Sequence, residues 1–169
     1  MMACLLRRQG RSLKSIGFNF RWIDLPVGLG VVAAQWVGFV LVYMVLYRVH
    51  EFWTGTHLQL RSPHDIFGNP SILLWLPYLI AAPVFEETIV RAYMMTELIG
   101  LSWPVWLTAL ISTSVQTSYH LYYGLAGALS IGVTFLVSSI YFAKSKRLVP
   151  LILAHLLWDI AASSRMFHS

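Results

Sequence analysis

The sequence predicts an all-α, polytopic membrane helix bundle with about five transmembrane helices and the N-terminus on the cytoplasmic side. Three observations predict it. Hydrophobic residues fill 57% of the 169 positions and charged residues only 11%, against roughly 25% charged in soluble domains. Mean hydropathy is +0.66. Lys and Arg are also distributed unevenly among the segments that separate the apolar runs, as the positive-inside rule requires of a multispanning chain. The N-terminal segment carries Arg7, Arg8, Arg11, Lys14 and Arg21, and the loop after the fourth run carries Lys144, Lys146 and Arg147. The segments expected on the other side hold Arg48, Arg61 and Arg165. Five spans with the N-terminus inside put both clusters on the cytoplasmic side.

Residues 1–22 read as a basic cytoplasmic segment, whose single short apolar patch lies too early for a signal peptide, so the first long run is expected to be a retained membrane helix. Residues 23–169 read as one transmembrane helical domain. Asp24 is expected as an N-cap with Pro26 in the tolerated first turn, and helix one runs to about Tyr47. The next stretch, Arg48 to Asn69, is polar and punctuated by Gly55, Pro63, Gly68 and then Pro70. Its His50, His57 and His64 are seven residues apart, but Gly55 and Pro63 interrupt any common helix face, so they read as loop histidines ahead of a metal site. Ser71 caps helix two, which runs to about Gly100 with Pro77 and Pro83 inside. Pro83 removes a backbone donor just before two glutamates and is expected to kink the helix or free backbone groups toward a wet cavity. Ser102-Trp103-Pro104 starts helix three, ending near Tyr122-Tyr123-Gly124. Helix four spans Leu125 to Phe142, and its Gly127, Ala128, Ser130, Gly132 and Ser138 permit close helix contact. Helix five begins near Val149-Pro150 and reaches about Ala162, short for a full span.

The basic balance, 12 Lys and Arg against 7 Asp and Glu, is accounted for by this topology. No interleaved aromatic and basic stripe points to nucleic acid. One cysteine, Cys4, excludes an internal disulfide and a cysteine-built metal centre.

The chemistry concentrates in Phe85-Glu86-Glu87-Thr88-Ile89-Val90-Arg91. Charge at membrane depth costs from about 2.5 to well over 10 kcal/mol per residue, so such groups face a cavity, pair, and usually serve a function. Glu87 and Arg91 are one helical turn apart and can pair, whereas Glu86 points about 100° away and has no local partner. A buried polar clamp without chemistry is the plain alternative. Two more polar features interrupt apolar helices: Gln116 through His120, and His155 with Asp159 one turn apart. Each is separately explicable as hydrogen-bonded packing, but together they place acid, base and histidine on three helices that a compact bundle can converge on one cavity. A carboxylate in such a cavity can take a proton from water, an imidazole can hold that water or protonate a leaving amine, and separate donors can stabilise an oxyanion. Glu86, His120 and the pair His155 with Asp159 match those three tasks. Ser112, Ser114 and Ser118 near His120 offer a serine alternative that leaves the glutamates unexplained. Zinc on Glu and His ligands is the other alternative; without an HExxH-type spacing, a site with no metal and no cofactor is placed ahead of it.

These residues resemble the CAAX protease and bacteriocin-processing family of intramembrane glutamic endopeptidases. Glu86 to Arg91 is similar to its EExxxR motif, His120 to the histidine of its FxxxH motif, and His155 to Asp159 to its HxxxN/D motif, in the family's order and over about residues 74–162. The resemblance implies that Glu86 activates water with His120, that Glu87 and Arg91 hold the site together, and that His155 and Asp159 form the oxyanion region. Gln116 stands where that motif has phenylalanine, a possible contact for substrate or water, and Asp159 stands where the CAAX-processing members carry asparagine. The implied function is cleavage of a membrane-associated or exported protein, at a leader or C-terminal tail, by a protein of the bacterial inner membrane. Its implied partners are a peptide or protein substrate and the lipid bilayer; the chain is short, and prenylated substrates are not implied. A non-catalytic bacteriocin-immunity or partner-binding protein of the same family is the alternative. A proton-coupled carrier is a third reading, and it would require an inverted repeat that five helices do not show.

Overall fold

The computed structural model describes residues 2–68 and 71–164; Asn69, Pro70 and Arg165, used above, lie outside them. The helices are α1 (Met2–Arg8), α2 (Asp24–Thr54), α3 (Pro63–Phe67), α4 (Ile72–Glu86), α5 (Met94–Gly100), α6 (Val105–Ser118), α7 (Leu125–Ser145) and α8 (Val149–Ser164). A π-helical stretch, Glu87–Tyr93, joins α4 to α5, and short 3-10 turns cover Leu13–Ile16 and Leu121–Tyr123. No strand occurs among the described residues. This is the expected all-α membrane bundle. The five sequence-read helices correspond to α2, the α4–α5 unit, α6, α7 and α8.

Three of these are long and apolar enough to cross a membrane: Asp24–Thr54, Ile72–Gly100 and Leu125–Ser145. The other two are short. At about 1.5 Å per residue, the 14 residues of α6 and the 16 of α8 rise roughly 21 and 24 Å, less than the roughly 30 Å of hydrocarbon. A helix of that length starting at one face of the bilayer stops before the other. α6 is thus expected to leave the turn after it, including His120, at membrane depth.

α7 is the central helix and packs against both α2 and α6, while α8 packs against α2 and α4. Its small residues explain the position: Gly127, Ala128, Ser130, Gly132, Ser138 and Ser139 are all buried. A methyl group added at Gly132 would meet the Thr117 hydroxyl at 2.8 Å, so α6 approaches α7 as closely as a bare backbone allows. Across the other face, buried Gln35 of α2 donates through Nε2 to Ser138 Oγ at 2.9 Å.

Several boundaries differ from the sequence reading. Helix one continues to Thr54 instead of stopping near Tyr47, because Arg48 pairs with Glu51 one turn on and Thr54 donates to the His50 carbonyl. Gly55, with φ 68°, then ends it. His50 therefore lies on a helix and not in the loop. Asp24 is the first residue inside α2 and not its N-cap; its carboxylate turns back to accept from the Arg21 amide at 2.7 Å and pairs with Arg147 at 2.5 Å. Ser71 does precede the next helix, but without a side-chain cap bond. Helix three stops at Ser118 and not near Gly124, and the 3-10 turn takes the chain on. The irregularity expected around Pro83 takes the form of the π-helical stretch that begins four residues later.

The N-terminal segment is folded onto the bundle. Leu6 and Ile16 are buried in the same core as Met95, Phe142, Leu148 and Leu151. Gly17 (φ 88°) lies so near the α7–α8 loop that an added Cβ would be 2.2 Å from the Lys146 carbonyl, and Leu148 donates to the Gly17 carbonyl. Both basic clusters consequently sit at one end of the bundle. At the opposite end, Phe67 packs on Trp75 and Tyr122, and Arg61 Nη1 donates to the Tyr122 carbonyl at 3.3 Å. The segment after α2 thereby folds over the recess beyond α6.

Candidate active site

The π-helical stretch carries Glu87, Thr88, Arg91 and Ala92 to the interior, all buried. Such wider turns frequently occur at functional sites. Arg91 is fully buried, and its guanidinium ties two helices, α6 and α7, to the stretch. Nε donates to Glu87 Oε2 at 3.2 Å, Nη1 to Ser112 Oγ at 2.8 Å and to Ser139 Oγ at 2.9 Å, and Nη2 to Gln116 Oε1. A planar five-donor fork is the one side chain that can satisfy four acceptors arranged around it in this way. The other oxygen of Glu87 accepts from His155 Nδ1 at 3.0 Å, which adds α8 to the cluster. The Glu87 and Arg91 pair expected one turn apart is thus present, and it extends into a network across four elements.

Glu86 is half-buried and belongs to a second arm. Its Oε2 accepts from Gln116 Nε2 at 3.1 Å and from the Tyr119 hydroxyl at 2.7 Å. Among the described residues, Oε1 accepts no hydrogen bond. The sequence assigned Glu86 no local partner, and none lies on its own helix; its partners come from α6. Gln116 is fully buried and links Arg91 to Glu86 through the two ends of one amide.

His120 lies in the turn after α6. Its Nδ1 donates to the Gln116 carbonyl at 2.8 Å, which leaves Nε2 as the free ring nitrogen in the neutral imidazole. Tyr122, Tyr123 and Phe135 pack around the ring and fix its plane. His155 Nε2 lies 3.7 Å from Asp159 Oδ2, beyond hydrogen-bond distance. The close partner of His155 is therefore Glu87, not Asp159.

Two cavities meet at these residues. A recess of about 60 Å³ is lined by Glu86, Trp75, Tyr78, His120, His155 and Asp159. A larger cavity of about 250 Å³ is lined by Glu87, His120, His155 and Asp159, and on its apolar side by Trp36, Phe39, Phe135 and Trp158. His120, His155 and Asp159 border both. The structure thus brings Glu86, Glu87, Arg91, Gln116, His120, His155 and Asp159 together. Two of the three serines of the serine alternative are engaged elsewhere, Ser112 accepting from Arg91 and donating to the Val90 carbonyl and Ser118 donating to the Val115 carbonyl, and the third, Ser114, is exposed and does not line either cavity. Among the described residues, no group of three His, Cys, Asp or Glu side chains is placed to hold a metal ion. His57 packs instead on Tyr47, and His50 on Thr56.

Sequence reasoning missed Tyr119 and Ser139. Each is a polar residue in an apolar helix or at its end, the same signal that marked Gln116, but nothing in the spacing says which carboxylate or cation it will meet.

Residues 68–161, more than half of the chain, match the family model described as Type II CAAX prenyl endopeptidase Rce1-like. The chain belongs to that family. As an Rce1-like protein it is an integral membrane protease of the CAAX endopeptidase kind, set in a lipid bilayer and acting on a peptide there. The match takes in the π-helical stretch, the His120 turn and α8 through Asp159, and leaves out α2 and the loop after it. No curated protein and no solved structure matches the chain.

Proposed function

We propose that the chain is a glutamic-type intramembrane endopeptidase that needs no metal and cleaves a leader or C-terminal tail from a membrane-associated or exported protein. The observation that carries this reading is the free Oε1 of Glu86 in a small polar recess bordered by His120 and His155. At about 30 Å³ per water, a recess of about 60 Å³ suits one or two waters. Tyr119 and Gln116 both donate to Oε2 and leave Oε1 able to take a proton. Glu86 takes a proton from the water, His120 Nε2 orients it, and the water oxygen bonds to the scissile carbonyl carbon. The carbonyl oxygen takes up the negative charge. His155, its ring fixed by the bond from Nδ1 to Glu87, presents Nε2–H in its doubly protonated form toward that oxygen, with the Asp159 carboxylate nearby to balance its charge. The C–N bond then breaks, and the proton held by Glu86 passes to the leaving amine. Glu87 and Arg91 act as positioning residues that hold His155 and Gln116 in place. The protein on this reading sits in a bacterial inner membrane with residues 1–22 in the cytoplasm.

The test is mass spectrometry of exported and membrane proteins from cells carrying wild-type protein, Glu86→Gln or His120→Ala at matched membrane levels, with and without a chelator. Defined peptide termini should vanish in both variants and persist with the chelator. Identical termini in all three strains would refute the reading and favour a binding or immunity role.

A further inference from the structure

The 250 Å³ cavity has two walls of different origin. One holds His120, His155 and Asp159, inside the segment that matches the family. The other holds Trp36, Phe39 and Arg61, from α2 and the loop after it, outside that segment. The chemistry and its neighbourhood are therefore supplied by different parts of the chain.

That second wall has a distinct character. The rings of Trp36 and Phe39 pack on Trp158 with centroids 5.2 and 5.4 Å away, making a rigid aromatic surface. Arg61 stands at the same cavity as a cation. Its guanidinium donates to the Tyr122 carbonyl at 3.3 Å, and among the described residues no carboxylate forms an ion pair with it. The nearest candidate in sequence, Asp65, is instead taken by the amide and hydroxyl of Ser62, both at 2.7 Å. A guanidinium held by a backbone carbonyl, with donors to spare, matches a carboxylate in charge and in fork geometry. The cavity is smaller than the roughly 300–1,000 Å³ of drug-sized ligand sites, and it continues from the reacting groups, so it suits a short stretch of the peptide being cut.

We propose that Arg61 is a specificity-determining residue: the aromatic wall takes an apolar side chain of the substrate, and Arg61 selects a carboxylate on the same stretch of peptide. The proposal rests on the endopeptidase reading for its biological meaning, but its binding test does not. The carboxylate can be an acidic side chain or a free C-terminus, and the two are separable with synthetic peptides.

The experiment uses full-length Glu86→Gln protein in nanodiscs of zwitterionic lipid and three fluorescent peptides sharing one apolar core. The first has an internal Glu and an amidated end, the second an internal Gln and a free carboxylate, and the third an internal Gln and an amidated end. Fluorescence anisotropy should show one or both carboxylate peptides binding about tenfold tighter than the third, and which of them does so identifies the source. Adding Arg61→Glu should reverse the order in favour of a Lys-bearing peptide, and Arg61→Lys should retain part of the original preference, a swap that a purely structural arginine would not give. Trp36→Ala should weaken all three alike. Equal affinities, absence of binding, or a carboxylate preference that survives Arg61→Glu would overturn the proposal. If the binding pattern appears while wild-type protein leaves the peptides intact, the endopeptidase reading fails and carboxylate selection stands.

Discussion

Arg91→Leu is the perturbation with the largest expected consequence. The side chain is fully buried and donates to Glu87, Ser112, Ser139 and Gln116. The losses are unequal. Ser112 and Ser139 each keep a bond to a backbone carbonyl, of Val90 and Phe135, so their truncated networks cost little. Gln116 Oε1 loses its donor, at about 1–3 kcal/mol for a buried acceptor left unsatisfied. Glu87, 1% exposed, loses the cation that balances it, and removing one partner of a buried pair costs about 3–5 kcal/mol. These terms share one network and do not add fully, so the expectation is about 3–5 kcal/mol. For a chain of this size that is a fall in Tm of roughly 6–20 °C, read by tryptophan fluorescence in nanodiscs. Adding Glu87→Gln removes the stranded charge while leaving an acceptor for His155, and should restore about half of the loss. A Tm within about 3 °C of wild type, or a double variant no more stable than Arg91→Leu, would refute the clamp reasoning.

Other perturbations probe the remaining parts. Tyr119→Phe removes the 2.7 Å bond to Glu86 Oε2 without touching the Arg91 cluster; it should lower kcat about tenfold or more at unchanged Tm, within the usual contribution of a positioned proton-transfer group, and unchanged kcat would exclude this bond from water activation. Gln116→Leu severs both arms at once and should lower Tm as well as activity; stability equal to wild type would show that the amide bridge carries no structural role. Gly17→Ala places a methyl group on the Lys146 carbonyl at a positive φ, costing about 1–2 kcal/mol for the backbone alone, and faster amide exchange over residues 2–16 should report detachment of the N-terminal segment. In the loop outside the membrane, the Ser62 amide and hydroxyl donate to Asp65 and hold its carboxyl below the usual carboxylate range. Because the folded value is the lower one, the α3 cap is at full strength above the unfolded value near 3.9 and is lost as pH falls through the folded value. Protection factors at residues 62–67, with the intrinsic pH dependence of exchange divided out, should therefore fall at acid pH in the wild type and be low and pH-independent in Asp65→Asn.

The sequence by itself determined the class, the five helices and the residues that meet at the site. Apolar runs of membrane length leave few alternatives to helices, and an ionisable group in such a run is costly enough that its presence alone marks it. Glu86, Glu87, Arg91, His120, His155 and Asp159 were visible for that reason. Local spacing also fixed the Glu87 and Arg91 pair, since residues four apart on a helix must meet. Spacing says nothing about contacts between helices, and there only the tertiary structure decided. It gave His155 to Glu87 in preference to Asp159, made Gln116 a bridge, and assigned Tyr119 to Glu86. It also folded the N-terminal segment onto the core, through contacts such as Leu6 and Gly17 whose partners lie far along the chain. Above all it formed the cavity wall from α2 and Arg61: which helix faces which across a void depends on how small residues such as Gly132 let α6 and α7 close up, and that is a property of packing in three dimensions.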